Sequence, residues 1–389
     1  MTSDSAMART LWVALPTALI VIVAWAFVTL DPLANLGNGV PPVEELTIER
    51  TILDADGIKL RVRAGGSEPM TLAQVQVDGA YWQFEQEPSG TLPRLQSGWI
   101  NIPYPWVLGE THHITLITRS GITFEHTIDV ATPTPQPNLS MMGIYALVGL
   151  FVGVVPVVLG MLFYPALRSA GTETMMFALA LTVGLLAFLL VDTMAEALEL
   201  AKKAAAPFST VELVWLVAAT TCASLFAVGR RTSDANAPLT LAASIALGIG
   251  LHNFGEGLAI GSAFATGAVA LGSFLVIGFT LHNLTEGIGI VAPLTKRRRP
   301  HFAVFVGLAA LAGVPAVPGI WLGAFAFSPH WAALALAVGA GAILQVIVQV
   351  SLLIRRQWLE DIKTSPVSTL SGGVLGLVLM YGTSLLVQT

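Results

Sequence analysis

Hydrophobic and polar positions divide the chain into three regimes. The first is an apolar run of twenty residues, 11–30, behind a polar start that contains Arg9. Its length suits a membrane span. Ala24-Trp25-Ala26 also resembles the small-x-small site of a cleaved signal peptide. Residues 1–30 therefore read as an N-terminal transmembrane anchor, with a signal peptide as the rival reading. Both readings put the next region of the chain outside the cytoplasm.

The second regime, residues 41–130, alternates with period two in short runs. Residues 46–52, 58–62, 75–77, 81–84, 113–118 and 122–128 are separated by Asp56-Gly57, Gly65-Gly66, Asp78-Gly79 and Ser120-Gly121. Short strands at that spacing predict a β-sandwich, immunoglobulin-like in outline. A Pro-rich linker, residues 131–140, comes next. The third regime holds eight apolar segments: 141–164, 174–198, 211–228, 239–265, 268–294, 302–327, 331–354 and 369–387. Each is long enough to predict a membrane helix.

Charge sharpens this picture. Arg168, the pair Arg230 and Arg231, the run Lys296-Arg297-Arg298-Arg299, and Arg355, Arg356 and Lys363 occupy every other connection. The intervening connections hold only Lys202 and Lys203. Basic loops face the cytoplasm, which puts the β-domain and the C-terminus outside. The basic run at 296–299 is then a topology signal, and no nucleic-acid partner is expected. With 54% hydrophobic and 11% charged residues the chain is far from the roughly 25% charge of soluble proteins. The single cysteine, Cys222, excludes an internal disulfide and any thiolate-based zinc site.

Against this apolar background one phrase occurs twice. The fourth segment contains His252-Asn253-Phe254-Gly255-Glu256-Gly257, and the fifth contains His282-Asn283-Leu284-Thr285-Glu286-Gly287. A histidine and a carboxylate four apart share one helix face. The two segments meet at a tight turn around Thr266-Gly267, so they are antiparallel neighbours. Both histidines then fall roughly 20 Å below that turn, at 1.5 Å per residue. His252, Glu256, His282 and Glu286 can converge into a site for a divalent cation. Imidazole with carboxylate suits Zn²⁺, Fe²⁺, Mn²⁺ or Co²⁺. Asn253 and Asn283 can add amide oxygens or orient the ligands.

The doubled His-Asn-x-x-Glu-Gly phrase, on adjacent segments four and five of eight, resembles the ZIP (Zrt/Irt-like) family of divalent-metal transporters, prokaryotic type, over about residues 141–389. The resemblance implies an eight-helix bundle with both ends outside. It makes His252, Glu256, His282 and Glu286 ligands of a first metal site, with Asn253 and Asn283 where a second site often has ligands. Two departures stand out. Val317-Pro318 occupies the place where many members have an acidic residue before proline, and Gln345 and Gln349 stand where acidic residues often close the seventh span. One metal at a time is therefore expected.

Asp192, Glu196 and Glu199 recur on one face near the outer end of the second segment. They read as an entrance path for cations, or more plainly as a helix end with Lys202 and Lys203 as ion-pair partners. His112, His113 and His126 fall in the β-region as metal candidates or simply solvated strand residues, and His301 and His330 sit at segment ends. The resulting expectation is an all-α polytopic membrane protein with an N-terminal anchor and an extracytoplasmic β-sandwich. It would carry zinc first, or iron, manganese or cobalt, across the cytoplasmic membrane toward the cytoplasm, and would not be an enzyme. The transported ion is the only ligand expected, with no separate cofactor. The bilayer and a second copy, as a homodimer, are its other partners. The rivals are an intramembrane metalloenzyme, for which Glu-x-x-His and His-Glu-x-x-His are both lacking, and a metal-responsive sensor using the β-domain.

Overall fold

The structure is a computed structural model that describes residues 3–30, 43–204, 211–229, 237–266, 268–295, 299–360 and 365–388. Residues 41 and 42, Gly267, and the basic residues Arg230, Arg231, Lys296, Arg297, Arg298 and Lys363 lie outside them. The chain divides into two compact units, 1–43 and 44–389. In the first, the apolar run forms α1 (Ser3–Leu30), with Pro16 inside the helix.

The second unit begins with eight strands: β1 (Leu46–Asp54), β2 (Gly57–Ala64), β3 (Leu72–Val77), β4 (Ala80–Trp82), β5 (Glu85–Glu87), β6 (Ser97–Ile102), β7 (His112–Thr118) and β8 (Thr123–Ile128). They form two antiparallel four-stranded sheets, ordered β1-β2-β6-β5 and β4-β3-β7-β8. Alternate residues Ile58, Leu60, Val62, Ile100 and Ile102 of one sheet and Val75, Val77, Ile114 and Leu116 of the other meet in one apolar cluster. Asp78 at φ 52° and Gly79 at φ 80° make the tight turn that joins β3 to β4. The strand at 97–102, absent from the expected runs, is central to its sheet. Its alternation was there to read, since Gly98, Ile100 and Ile102 point inward.

The helical part comprises α2 (Leu139–Gly149), a π-turn (Leu150–Val154), α3 (Val155–Met161), α4 (Tyr164–Ser169), α5 (Thr172–Lys203), α6 (Val211–Gly229), α7 (Ala237–Ala265), α8 (Val269–Val291), α9 (Phe302–Gly313), α10 (Ala316–Ala326), α11 (Pro329–Glu360) and α12 (Pro366–Gln388). Among the described residues, five stretches are long and apolar enough to cross a membrane: Leu139–Ser169, Thr172–Lys203, Leu271–Leu294, Phe302–Ala326 and Pro329–Leu359. This is a polytopic membrane protein. The 29-residue α7 is not among the five.

Two apolar segments are broken at mid-length by proline. Pro156 opens α3 and has no N–H to offer the Val152 carbonyl four residues back. Pro315 separates α9 from α10. A contiguous apolar core unites residues of α3, α5, α7, α8, α9, α11 and α12, among them Val157, Leu179, Leu186, Ile245, Ile249, Ile290 and Ile343.

The β-region meets the helices through β1. Glu49, 4% exposed, accepts from Arg63 Nε at 2.5 Å, pairs with Arg61 Nε at 3.3 Å and lies 3.7 Å from His330 Nδ1 on α11. The next residue, Arg50, donates to the Phe325 carbonyl at the end of α10. Of two adjacent residues of one strand, Arg50 thus bonds the end of α10 and Glu49 lies close to the first turn of α11.

Candidate metal centre

Each copy of the repeated phrase is placed by the same device. Asn283 Nδ2 donates at 3.1 Å to the Val152 carbonyl, four residues before Pro156, which has no N–H to offer it. Asn253 Nδ2 donates to the Ala312 carbonyl at 3.0 Å, in the last turn of α9 before the Pro315 break. Four residues on, each phrase ends in glycine against backbone. A Cβ on Gly257 would lie 2.2 Å from the Ala316 carbonyl oxygen, and one on Gly287 would lie 2.2 Å from that of Val157. Only glycine permits helices to approach so closely. Asparagine and glycine therefore bind each helix to a broken neighbour and leave histidine and glutamate to face inward.

α7 and α8 are joined through residues 266–268, with thirteen residues from His252 to the end of α7 and thirteen from the start of α8 to His282. Both imidazoles lie about 20 Å from the turn, at one depth. There the ligand atoms of His252, Glu256 and His282 lie within 4.8 Å of one another, and all three residues are buried. Glu256 Oε1 is 2.9 Å from His252 Nε2 and 2.6 Å from His282 Nε2. The ring of His282 is held by the Gly278 carbonyl and by Phe279, edge-on at 5.6 Å between centroids. A hydrogen bond to a backbone carbonyl fixes which imidazole nitrogen carries the proton and leaves the other as a ligand.

The other expected residues are arranged around this trio. Glu286 is 1% exposed, neither carboxylate oxygen has a hydrogen-bond partner, and it stands apart from the three-ligand group. It remains within electrostatic range of His282, His252 and Glu256. Asn253 and Asn283 use their amide nitrogens on neighbouring backbone, and their Oδ1 atoms are buried without a partner. Asn283 Nδ2 also reaches Glu256 Oε2 at 3.3 Å. On α5, Asp192 is within electrostatic range of both site histidines, and Glu196 of Asp192 and Glu199. Glu199 pairs with Lys203 at 2.6 Å, as the plainer reading of a helix end has it.

The strand histidines do not converge. His112 bonds Asp78 at 2.8 Å, His113 faces Thr127 and His126 bonds Thr51 at 2.8 Å. His301 caps α9 through the Ala303 N–H. Among the described residues, His252, Glu256 and His282 are the only metal-capable group of three. Sequence reasoning missed the Glu49 network, whose signal is a glutamate flanked by arginines across a strand pair, and the two neighbouring carbonyls that orient the asparagines.

Two imidazole nitrogens and one carboxylate oxygen form a three-ligand set that leaves a position open for water or exchange. Inside apolar surroundings a dication would need its charge offset, and a second buried carboxylate, Glu286, lies within electrostatic range of the group. No protein-family model matches the chain, and no curated protein does so either. Fold and site together define the class: a polytopic membrane protein whose buried helices hold a His–Glu–His group.

Proposed function

We propose that the chain is a carrier of the ZIP type that moves a divalent transition metal, zinc first, across the cytoplasmic membrane toward the cytoplasm. One observation carries this reading. His252, Glu256 and His282 gather three ligand atoms within 4.8 Å at mid-helix depth, with the unpartnered carboxylate of Glu286 in electrostatic range. In this reading all eight apolar segments cross the bilayer, and the two sheets close as a sandwich on its outer side. A second copy of the chain is a compatible partner.

The mechanism derives from the groups present. Each imidazole Nε2 that contacts Glu256 Oε1 does so through a proton, and those protons occupy the place of the ion. Zinc binding displaces them, so acid competes with zinc. Asp192 and Glu196 attract the cation and Glu256 receives it between the imidazoles. Rearrangement of the helix groups then opens the site to the other side. The test is zinc uptake into proteoliposomes by wild type, His252→Ala and Glu286→Ala. Loss of uptake in both variants supports the reading, and unchanged uptake in both overturns it.

The sensor reading keeps one observation of its own, the grip of Glu49 and Arg50 on the α10–α11 connection. It requires metal binding without flux, which the same proteoliposomes would reveal.

A further inference from the structure

Two amides on the seam between α7 and α11, Gln345 buried and Gln349 half-buried, take no part in the His–Glu group. Gln345 is 0% exposed and its Nε2 donates to the Ser244 hydroxyl oxygen at 2.9 Å. Gln349 Nε2 donates to the same oxygen at 3.1 Å. The Oε1 atoms of both are buried and have no hydrogen-bond partner. Two amide carbonyls withdrawn from water, with nothing returned to them, bear the full desolvation penalty. Such groups in a membrane interior ask for a ligand.

Their position gives the ligand a class. Ser244 precedes His252 by eight residues on α7, about 12 Å along the axis, and Gly248 lies midway. A Cβ built on Gly248 would lie 2.6 Å from Val346 Cγ2 and 3.2 Å from Gln345 Oε1, so the amide oxygen packs close against the bare backbone of α7 there. Farther along the seam Gly339 of α11 faces His252, and a Cβ there would stand 3.9 Å from His252 Nδ1. That nitrogen, too, has no partner. The seam therefore carries two unpaired acceptors beyond His252: Gln345 Oε1, then Gln349 Oε1 beside a hydroxyl. Neutral oxygens suit a hard, partly hydrated cation. Without formal charge they hold it more weakly than Glu256 with two imidazoles. A site that must let its ion leave requires that weakness.

We propose that Ser244, Gln345 and Gln349 form a transit site for a partly hydrated divalent cation, one stage beyond the His–Glu group on the side away from the Thr266 turn. This rests on the transport reading. The test uses full-length protein, with zinc uptake in proteoliposomes and equilibrium zinc binding in nanodiscs. In Gln345→Leu/Gln349→Leu, uptake falls at least tenfold while one zinc still binds with wild-type affinity. In Gln345→Glu, a charged site retains its ion, a second zinc equivalent binds and uptake slows. Uptake within twofold of wild type in the leucine variant overturns the proposal, as does binding and uptake falling together, the mark of a structural role. If the double variant does not fold, Gln349→Leu alone is read by the same criteria. Normal uptake in the leucine variant with none in His252→Ala removes the transit site alone, whereas normal uptake in His252→Ala removes the transport reading itself.

Discussion

Replacing Gly257 with alanine asks whether the glycine of the repeat sets the position of the metal ligands. The added Cβ would stand 2.2 Å from the Ala316 carbonyl oxygen and 3.0 Å from the Ile320 nitrogen. Real Cβ contacts essentially never fall below 3.0 Å, so α7 and α10 must part by about 0.8 Å or α7 must roll. Both opposing atoms are backbone, and no flexible side chain can yield. Overpacking of this kind costs about 1–3 kcal/mol. A ligand set tolerates displacements of about 0.5 Å, so Glu256, the adjacent residue, is carried out of its place between the imidazoles. Gly307→Ala on α9 is the control, because its Cβ would meet nothing within 4 Å. Zinc titration by calorimetry in nanodiscs should show affinity reduced about 10–100-fold in Gly257→Ala, the range seen when ligand-orienting groups are lost. Gly307→Ala should match wild type. Wild-type affinity in Gly257→Ala would refute the reasoning.

Three further outcomes are expected from the same geometry. Asn253→Ala removes one interhelical hydrogen bond and Asn283→Ala removes two, to Val152 and to Glu256; each bond lost should lower unfolding stability in detergent by about 0.6 kcal/mol, at most about 1.7. Glu49→Ala leaves the half-buried Arg63 without its carboxylate; fully buried pairs lose about 3–5 kcal/mol, and the 45% exposure of the Arg61 side chain sets the loss at or below the lower end. Hydrogen exchange should then quicken in β1 and at residues 325–330 together. Burial holds the His126 imidazole below its ordinary pKa of 6.5, against the raising influence of Asp129. The unfolded chain therefore takes up a proton first as pH falls through about 6.5, and the β-region loses stability on acidification. Thermal melts of His126→Gln at pH 5.5 and 7.5 should show a smaller difference than wild type.

The repeated phrase was legible because its ionisable residues stand out in an apolar run and the helical period puts each pair on one face. Depth was legible too, since the tight turn at 266–268 leaves equal lengths of helix to His252 and His282. What the sequence did not reveal was the division of labour within the phrase. Asn253 and Asn283 read as candidate ligands, yet their amide nitrogens serve carbonyls at the two proline breaks, and no local pattern links Asn283 to Pro156. Four-residue spacing treats Glu256 and Glu286 as equals. Only Glu256 lies between the imidazoles, and Glu286 stands outside the three-ligand group. The turn at Asp78-Gly79 was plain. The role of Asp78, which also accepts from the His113 N–H and the Tyr104 hydroxyl, depends on strands far along the chain. The grip of Glu49 and Arg50 on α10–α11 is likewise a contact between distant segments, invisible to any window of sequence.

The central claim is that one divalent cation sits between α7 and α8, bound by His252, Glu256 and His282. Anomalous diffraction at the zinc edge from zinc-soaked crystals tests it most directly. The account predicts a single dominant peak at roughly 2.0–2.2 Å from an imidazole nitrogen of each histidine and an oxygen of Glu256. A dominant peak elsewhere, or no peak between α7 and α8, would contradict it.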